Sequence, residues 1–256
     1  MNVLKGNELA TYKGLNNKTV IQTWHTKEFH KKIKKINMEM KLKNPQLEFL
    51  LYNNDEMDNS VEDNFDRDIV KTYFKFLHYV PRADFWRYLM VEKFGCIYLD
   101  IDSIIISNID EILKRKKSIL TLEPRETAFI QWVMIFNQND PGLEAAIEMI
   151  IHNVKSNLYK YNVDELTGPR LLTKAILKKI EFQVASNVLD YNSADLNLKL
   201  RKNDYKLLKN TIHDNYFLFK HQYNHLLRNR RKKIFRKPNN EDMNHFINFQ
   251  KSNSLY

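Results

Sequence analysis

A single cysteine, Cys96, is all the thiol in 256 residues. An internal disulfide and a thiolate zinc cluster are therefore excluded, and the usage fits a reducing compartment. Long apolar runs are also missing. Nowhere do about 18 uncharged apolar residues follow one another, and the first stretch, Met1 to Gly14, lacks the apolar block of a secretory signal. The expectation is a soluble, cytoplasmic chain without a transmembrane segment. Acidic residues are the minority, 31 against 41 lysines and arginines, which leaves a formal charge of +10. That balance favours anionic partners, among them nucleotide diphosphates, nucleic acid and membrane surfaces, and does not choose between them. Lysine, asparagine and isoleucine recur along the whole chain, and drift towards AT-rich codons produces the same pattern with no binding role. The apolar content of 43% is enough for an ordinary core, so wholesale disorder is excluded and the length fits one large domain or two small ones.

Strand and helix patterns alternate. Val20, Ile21 and Thr23 make a short β-prone run ending at Trp24 and His25, and Phe29, Ile33, Ile36 and Met40 then recur at helical spacing. Asn44 and Pro45 punctuate, residues 47–52 read as a second strand, and the acidic stretch 53–68 reads as loop and helix start. A helix is predicted over 69–80, and Pro81 opens another that runs to Phe94, where Gly95 can cap it. Further strands are predicted at 96–99, 104–106, 119–122 and 132–136, and helices at 142–157 and 168–180. Asn108 caps one more helix, with Asp110 and Glu111 in its first turn. No repeat and no long linker interrupts this order. It predicts one α/β domain over residues 1–236, Rossmann-like, with a largely parallel central sheet and added helices, and then a weakly tethered tail over 237–256. Ligands on such sheets sit at the carboxyl ends of the strands.

The chemistry concentrates in Arg82-Ala83-Asp84-Phe85-Trp86-Arg87-Tyr88 and in Gly95-Cys96-Ile97-Tyr98-Leu99-Asp100-Ile101-Asp102. In an extended chain residues i and i+2 point to one side, so Asp100 and Asp102 would present their oxygens together at a strand's carboxyl end. A like-charged pair in a cleft is costly unless one member is protonated or a metal neutralises both. Hard oxygen ligands select magnesium or manganese, completed by phosphate and water. A bare Asp-x-Asp is common; the apolar strand that leads into this pair gives it weight, because burial is a poor place for idle carboxylates. Asp84 and Arg87, three apart, share a helix face. Their spacing fits both a surface ion pair of small worth and a ligand-binding pair.

The ordered set Ile21-Gln22-Thr23-Trp24, residues 47–52, Ala83-Asp84 with Arg87, Gly95 through Asp102, and Thr167-Gly168-Pro169 resembles glycosyltransferase family 32, over residues 18–225. That family holds yeast-type initiating and sphingolipid mannosyltransferases, and its donor site is similar to that of the clostridial glucosylating toxins. The resemblance implies a GT-A fold and a metal-dependent transfer that retains the donor's anomeric configuration. It implies that Trp24 stacks on the nucleobase, that Asp84 and Arg87 contact the donor's sugar and ribose, and that Asp100 touches donor hydroxyls and supports a manganese or magnesium ion bound directly by Asp102. Gln131-Trp132 is similar to a pair that lies near the sugar in the mannosyltransferase branch, although Trp132 fits a strand core equally well. Two departures stand out. Gly95-Cys96 replaces the family's usual two glycines, and its His-rich, Trp-containing C-terminal segment is reduced to Phe219-Lys220-His221-Gln222-Tyr223. His221 is a third metal ligand or simply a solvated histidine.

The resulting expectation is a retaining hexosyltransferase with GDP-mannose or a UDP-hexose as donor and a glycan, protein or lipid as acceptor. Asp84, Arg87 and Asp100 act at the reaction centre; the metal and Arg87 stabilise the departing diphosphate. No carboxylate stands out as a nucleophile, which favours same-face attack over double displacement. A nucleotide-sugar hydrolase or a phosphotransferase could use the same metal site. A nucleic-acid-binding protein, motivated by the basic run from Arg228 to Lys233 with Phe235 beside it, is disfavoured, since that run lies outside the family-like region. It fits a solvated helix face or an anchor to an anionic membrane surface.

Overall fold

The computed structural model describes residues 15–28, 31–105, 109–114, 116, 118–121, 128–179 and 254–256, together with the backbone of 216–219 and 227–229. Its centre is a six-stranded sheet in the order β2-β1-β3-β6-β5-β7, formed by β1 (Thr19–Thr23), β2 (Glu48–Tyr52), β3 (Ile97–Leu99), β5 (Ser118–Thr121), β6 (Val133–Ile135) and β7 (Tyr216–Phe219). β4 (Ser103–Ile105) pairs separately with β8 (Leu227–Asn229). The pairs β1–β2, β1–β3 and β5–β7 are parallel, as expected of a largely parallel sheet. β6 runs antiparallel to both β3 and β5. That reversal carries the start of β6 to the carboxyl end of β3, where Leu99 lies opposite Val133 and the Asp100 amide donates to the Trp132 carbonyl at 2.8 Å.

The helices are α1 (Lys31–Lys43), α2 (Asn54–Asn64), α3 (Arg67–Lys75), α4 (Tyr79–Phe94), α5 (Ile109–Leu113), α6 (Pro141–Lys155), α7 (Val163–Leu166) and α8 (Pro169–Lys179). The acidic stretch after β2, read from sequence as loop and helix start, is helical from Asn54 to Asn64. Asn53 and Glu56 form a reciprocal capping box at its start, with both bonds at 2.9 Å, and Asp55 and Glu56 favour the positive helix end. The helix predicted over 69–80 stops at Lys75, and α4 begins anew at Tyr79 behind the His78 cap, whose Nδ1 accepts from the Val80 amide at 3.1 Å. Pro81 sits in the first turn of α4, where its missing N–H costs nothing. The Asn108 cap lies outside the described residues, as does the boundary drawn at residue 236.

α4 is the spine of one core. Phe85, Trp86, Tyr88, Leu89, Met90 and Val91 are all buried, packed among α6, α8 and the face of the sheet that carries Ile21 and Tyr98. The opposite face carries Val20, Ile97, Leu99, Val133 and Ile135 against Met40, Ile109 and Ile112. Cys96 is buried in the first core, and burial pushes its thiol up to about 12, so it is an inert packing residue. The chain's last residues do not match the expectation of a weakly held tail. Leu255 is fully buried, its backbone bonds to Leu77 and Lys160, and the Tyr256 hydroxyl donates to the Leu158 carbonyl at 2.7 Å.

Gly95 ends α4 in the left-handed conformation, with φ at +62°. A Cβ there would stand 3.0 Å from the Gln138 amide nitrogen. Gly95→Ala is expected to destabilise the fold by about 1–2 kcal/mol through backbone strain and crowding together, read as a lowered midpoint in denaturant unfolding with an unchanged slope.

Candidate active site

α4 delivers Asp84, Arg87 and Tyr88 along one face, because residues three and four apart stack on a helix. β3 delivers Tyr98 and ends one residue before Asp100. The Arg87 guanidinium is where these elements meet. Its Nη2 stands 3.2 Å from Asp84 Oδ1, its Nη1 stands 3.5 Å from Asp100 Oδ1 and donates to the Gln131 carbonyl at 3.0 Å, and its Nε donates to the Ala83 carbonyl at 3.2 Å. The Tyr98 ring lies beneath it at 4.4 Å. Burial opposes the charge on Arg87, and the surroundings of Tyr98, Asp84 and Asp100 outweigh it, so the guanidinium stays firmly protonated.

Asp84 is only 4% exposed. Its Oδ1 accepts from Gln131 Nε2 at 2.7 Å and its Oδ2 from the Thr167 hydroxyl at 3.1 Å. Burial pushes its pKa up to about 6, while Arg87, Thr167 and Gln131 pull the other way. Tyr88 closes the ring of contacts. Its hydroxyl has one hydrogen and faces two carbonyl oxygens, Gln131 Oε1 at 2.5 Å and Thr167 O at 2.8 Å. Gln131 is thereby held from both ends of its amide, one to Tyr88 and one to Asp84.

The Asp-x-Asp pair does not lie on an extended strand, as the i, i+2 argument assumed. It occupies a turn between β3 and β4, closed by the Ser103 amide donating to the Asp100 carbonyl at 2.9 Å. The Asp100 side chain is 31% exposed and accepts from the Tyr98 hydroxyl at 2.7 Å through Oδ1. Asp102 is more enclosed, at 7%. Trp24 leaves β1 at the same end of the sheet; its amide donates to the Tyr52 carbonyl at 3.1 Å, and its half-buried ring packs with Ile33, Ile36, Leu51 and Ile101. His25 sits against that ring with centroids 4.8 Å apart.

Sequence-predicted residues Asp84, Arg87, Asp100 and Gln131 are thus in direct contact, with Asp102 in the adjoining turn and Trp24 on the neighbouring strand's end. His221 lies outside the described residues. Among the described residues no three His, Cys, Asp or Glu side chains form a metal-holding group. As a donor set, Asp100 and Asp102 suit a hard divalent cation that takes its remaining ligands from phosphate and water. Sequence reasoning assigned no role to Tyr88, Tyr98 or Thr167. Two of these had local signals, since Tyr88 is four residues from Asp84 on a helix and Tyr98 is two from Asp100 along a strand. Thr167 had none, because it reaches Asp84 from 83 residues away.

Residues 16–119 match the family described as "Glycosyltransferase sugar-binding region containing DXD motif". The matched stretch includes Trp24, Asp84, Arg87, Asp100 and Asp102. The chain is 30% identical over 87 residues to an uncharacterized glycosyltransferase of Acanthamoeba polyphaga mimivirus, which covers 34% of this chain and 32% of that protein. The chain therefore spans about a third of that relative's length. It also shares its fold with the PaToxG glycosyltransferase, with a TM-score of 0.52 at 19% identity over 69% of this chain and 75% of that one. The fold is thus a GT-A-like α/β fold. No helix among the described residues is long and apolar enough to cross a membrane.

Because the folded pKa of Asp84 is raised above that of an unfolded aspartate, the native state holds this proton more tightly. Its contribution to stability is full below about pH 4 and is lost as pH rises to about 6, on the order of 3 kcal/mol. Asp84→Asn is expected to flatten the change in unfolding free energy between about pH 4 and pH 7. Denaturant unfolding across that window checks this, and an unaltered slope in the variant would contradict the assignment.

Proposed function

We propose that this chain is a glycosyltransferase that moves a hexose from a nucleotide-sugar with retention of configuration and depends on a divalent metal ion. The observation that carries the reading is the contact between Arg87, Asp84, Asp100 and Gln131 at the carboxyl end of β3, within and beside the sugar-binding region. A cation held by Asp102 and supported by Asp100 would supply charge neutralisation for the leaving diphosphate; manganese and magnesium both suit the oxygen ligands, and His221 is the candidate for a further ligand. Arg87 contributes a fixed positive charge beside the same group. Asp84 and Gln131 offer acceptors and donors for sugar hydroxyls, and Trp24 offers a flat ring for the base.

Retention by same-face attack is favoured over double displacement. Both oxygens of Asp84 are engaged by protein donors, and a carboxylate so held is a poor nucleophile. The donor is GDP-mannose or a UDP-hexose, and the acceptor is a glycan, a protein or a lipid, in a cytoplasmic setting.

The test is a thermal-shift panel of nucleotides and nucleotide-sugars with manganese or magnesium, followed by product analysis with candidate acceptors. Donor and metal together should raise the midpoint more than either alone. Asp102→Ala should remain folded by circular dichroism and lose transfer by at least about a hundredfold, and Trp24→Ala should weaken donor binding about tenfold through lost stacking. Wild-type turnover in the Asp102 variant would sink the metal assignment. Free sugar in place of glycoside would identify a hydrolase, and phosphate transfer a phosphotransferase.

A further inference from the structure

α1 buries Ile33, Asn37 and Met40 and turns its other side to solvent. Lys31, Lys35, Met38 and Leu42 follow one another at i, i+4, i+7 and i+11, which places them in one line along the helix. Lys34, Lys41 and Lys43 are exposed as well, and Glu39 is the one acidic residue of the helix. Leu42 is 78% exposed, the highest value for a large apolar side chain among the described residues, and Met38 is 56% exposed one turn before it. α5 lies nearby and carries Asp110 and Glu111 in its first turn, with lysines after its end. It packs beside the end of α1 through Met40, Leu47, Ile109 and Ile112, Gln46 donates to Asp110 at 3.3 Å, and the exposed Lys114 and Lys116 follow it.

We propose that the outer face of α1 docks on an anionic lipid surface, with Met38 and Leu42 inserted between headgroups and the surrounding lysines set against lipid phosphates and carboxylates. Aliphatic side chains ringed by lysine are the composition of an interfacial helix lying in the membrane plane. The charge is complementary to such a surface and to nucleic acid alike. The apolar pair separates the two, since a nucleic acid offers Leu42 and Met38 no apolar layer and rewards aromatic or arginine stacking, which this face lacks. A face only two apolar side chains long is also too small for the core of a stable protein interface. α1 starts seven residues after Trp24, so a surface that holds the helix also steadies the strand end where Trp24 emerges. The inference does not depend on the reaction proposed above.

The experiment is co-sedimentation of the full chain with phosphatidylcholine vesicles, with and without about 30% phosphatidylserine. Wild type should favour the anionic vesicles at least about tenfold, and added salt should reduce that preference. Lys34→Glu with Lys35→Glu, and separately Met38→Ser with Leu42→Ser, should each lower partitioning at least about fivefold. All four side chains are exposed, so the thermal midpoint and the nucleotide-sugar shift should stay at wild-type values. Equal partitioning to both vesicle types overturns the proposal. So does wild-type partitioning by both double variants, or α1-dependent retention on duplex DNA or RNA in preference to vesicles.

Discussion

A guanidinium in the interior must be matched by negative or polar neighbours on every side, because an isolated buried charge costs several kcal/mol. Arg87 is that charge here, and the site is the set of groups that satisfy it. Asp84 from its own helix, Asp100 from the turn after β3, the Gln131 carbonyl from the approach to β6 and the face of Tyr98 all converge on one side chain. Each belongs to a different segment. Anchoring Arg87 therefore fixes α4 against the sheet and the β3–β4 turn against both, and removing one carboxylate would leave the remainder unbalanced by about 3–5 kcal/mol.

The antiparallel course of β6 makes this convergence possible. A parallel strand in its position would send its amino end to the opposite end of the sheet, away from the Asp100 to Ser103 turn. Reversed, it places Gln131 beside Asp84 and lets Trp132 anchor the Asp100 amide. The second support comes from behind. Thr167 reaches Asp84 and Tyr88 from the junction of α7 and α8, and that junction is held by the buried pair Lys174 and Glu165 at 2.6 Å. Such a pair is weak evidence of stability, but it sets the place of the junction within the core. Asp84 and Tyr88 are thus steadied by a layer behind them, as a precise site needs.

Local signals in the sequence were enough for the strand and helix order, the Gly95 cap, and the grouping of Asp84 with Arg87. Those features depend on contacts within a few residues, which periodicity and capping chemistry describe. The break between α3 and α4 escaped, because hydrophobic spacing runs through Phe76 and Leu77 while the His78 cap and the docking of Leu255 on Leu77 decide the end. The turn at Asp100 to Ser103 escaped for a similar reason. Two-residue spacing alone cannot tell extended chain from a turn, and here the backbone bond from Ser103 to Asp100 selects the turn. Thr167 gains its place through a network that spans about 80 residues of chain, which no local pattern encodes.

The charge balance of the site adds a constraint of its own. Asp84, Asp100 and Asp102 bring three carboxylates against the one guanidinium of Arg87 within this cluster and its adjoining turn. Above about pH 6, where Asp84 is ionised, the excess is negative. A nucleoside diphosphate is also an anion, so this pocket as it stands repels the leaving group it is proposed to stabilise. Arg87 cannot reverse that alone, because its charge is already shared between Asp84 and Asp100. An added divalent cation would resolve the conflict, and the position of each carboxylate indicates how. Asp84 is the most buried of the three, and its oxygens are already engaged by Gln131, Arg87 and Thr167. Asp100 accepts from Tyr98 through Oδ1, which also stands beside Arg87, and Asp102 lies two residues further along the turn. The imbalance therefore falls on the Asp100 to Asp102 turn, where Asp100 is partly exposed and Asp102 is enclosed beside it, and it is there that a cation would lower the electrostatic cost of binding most.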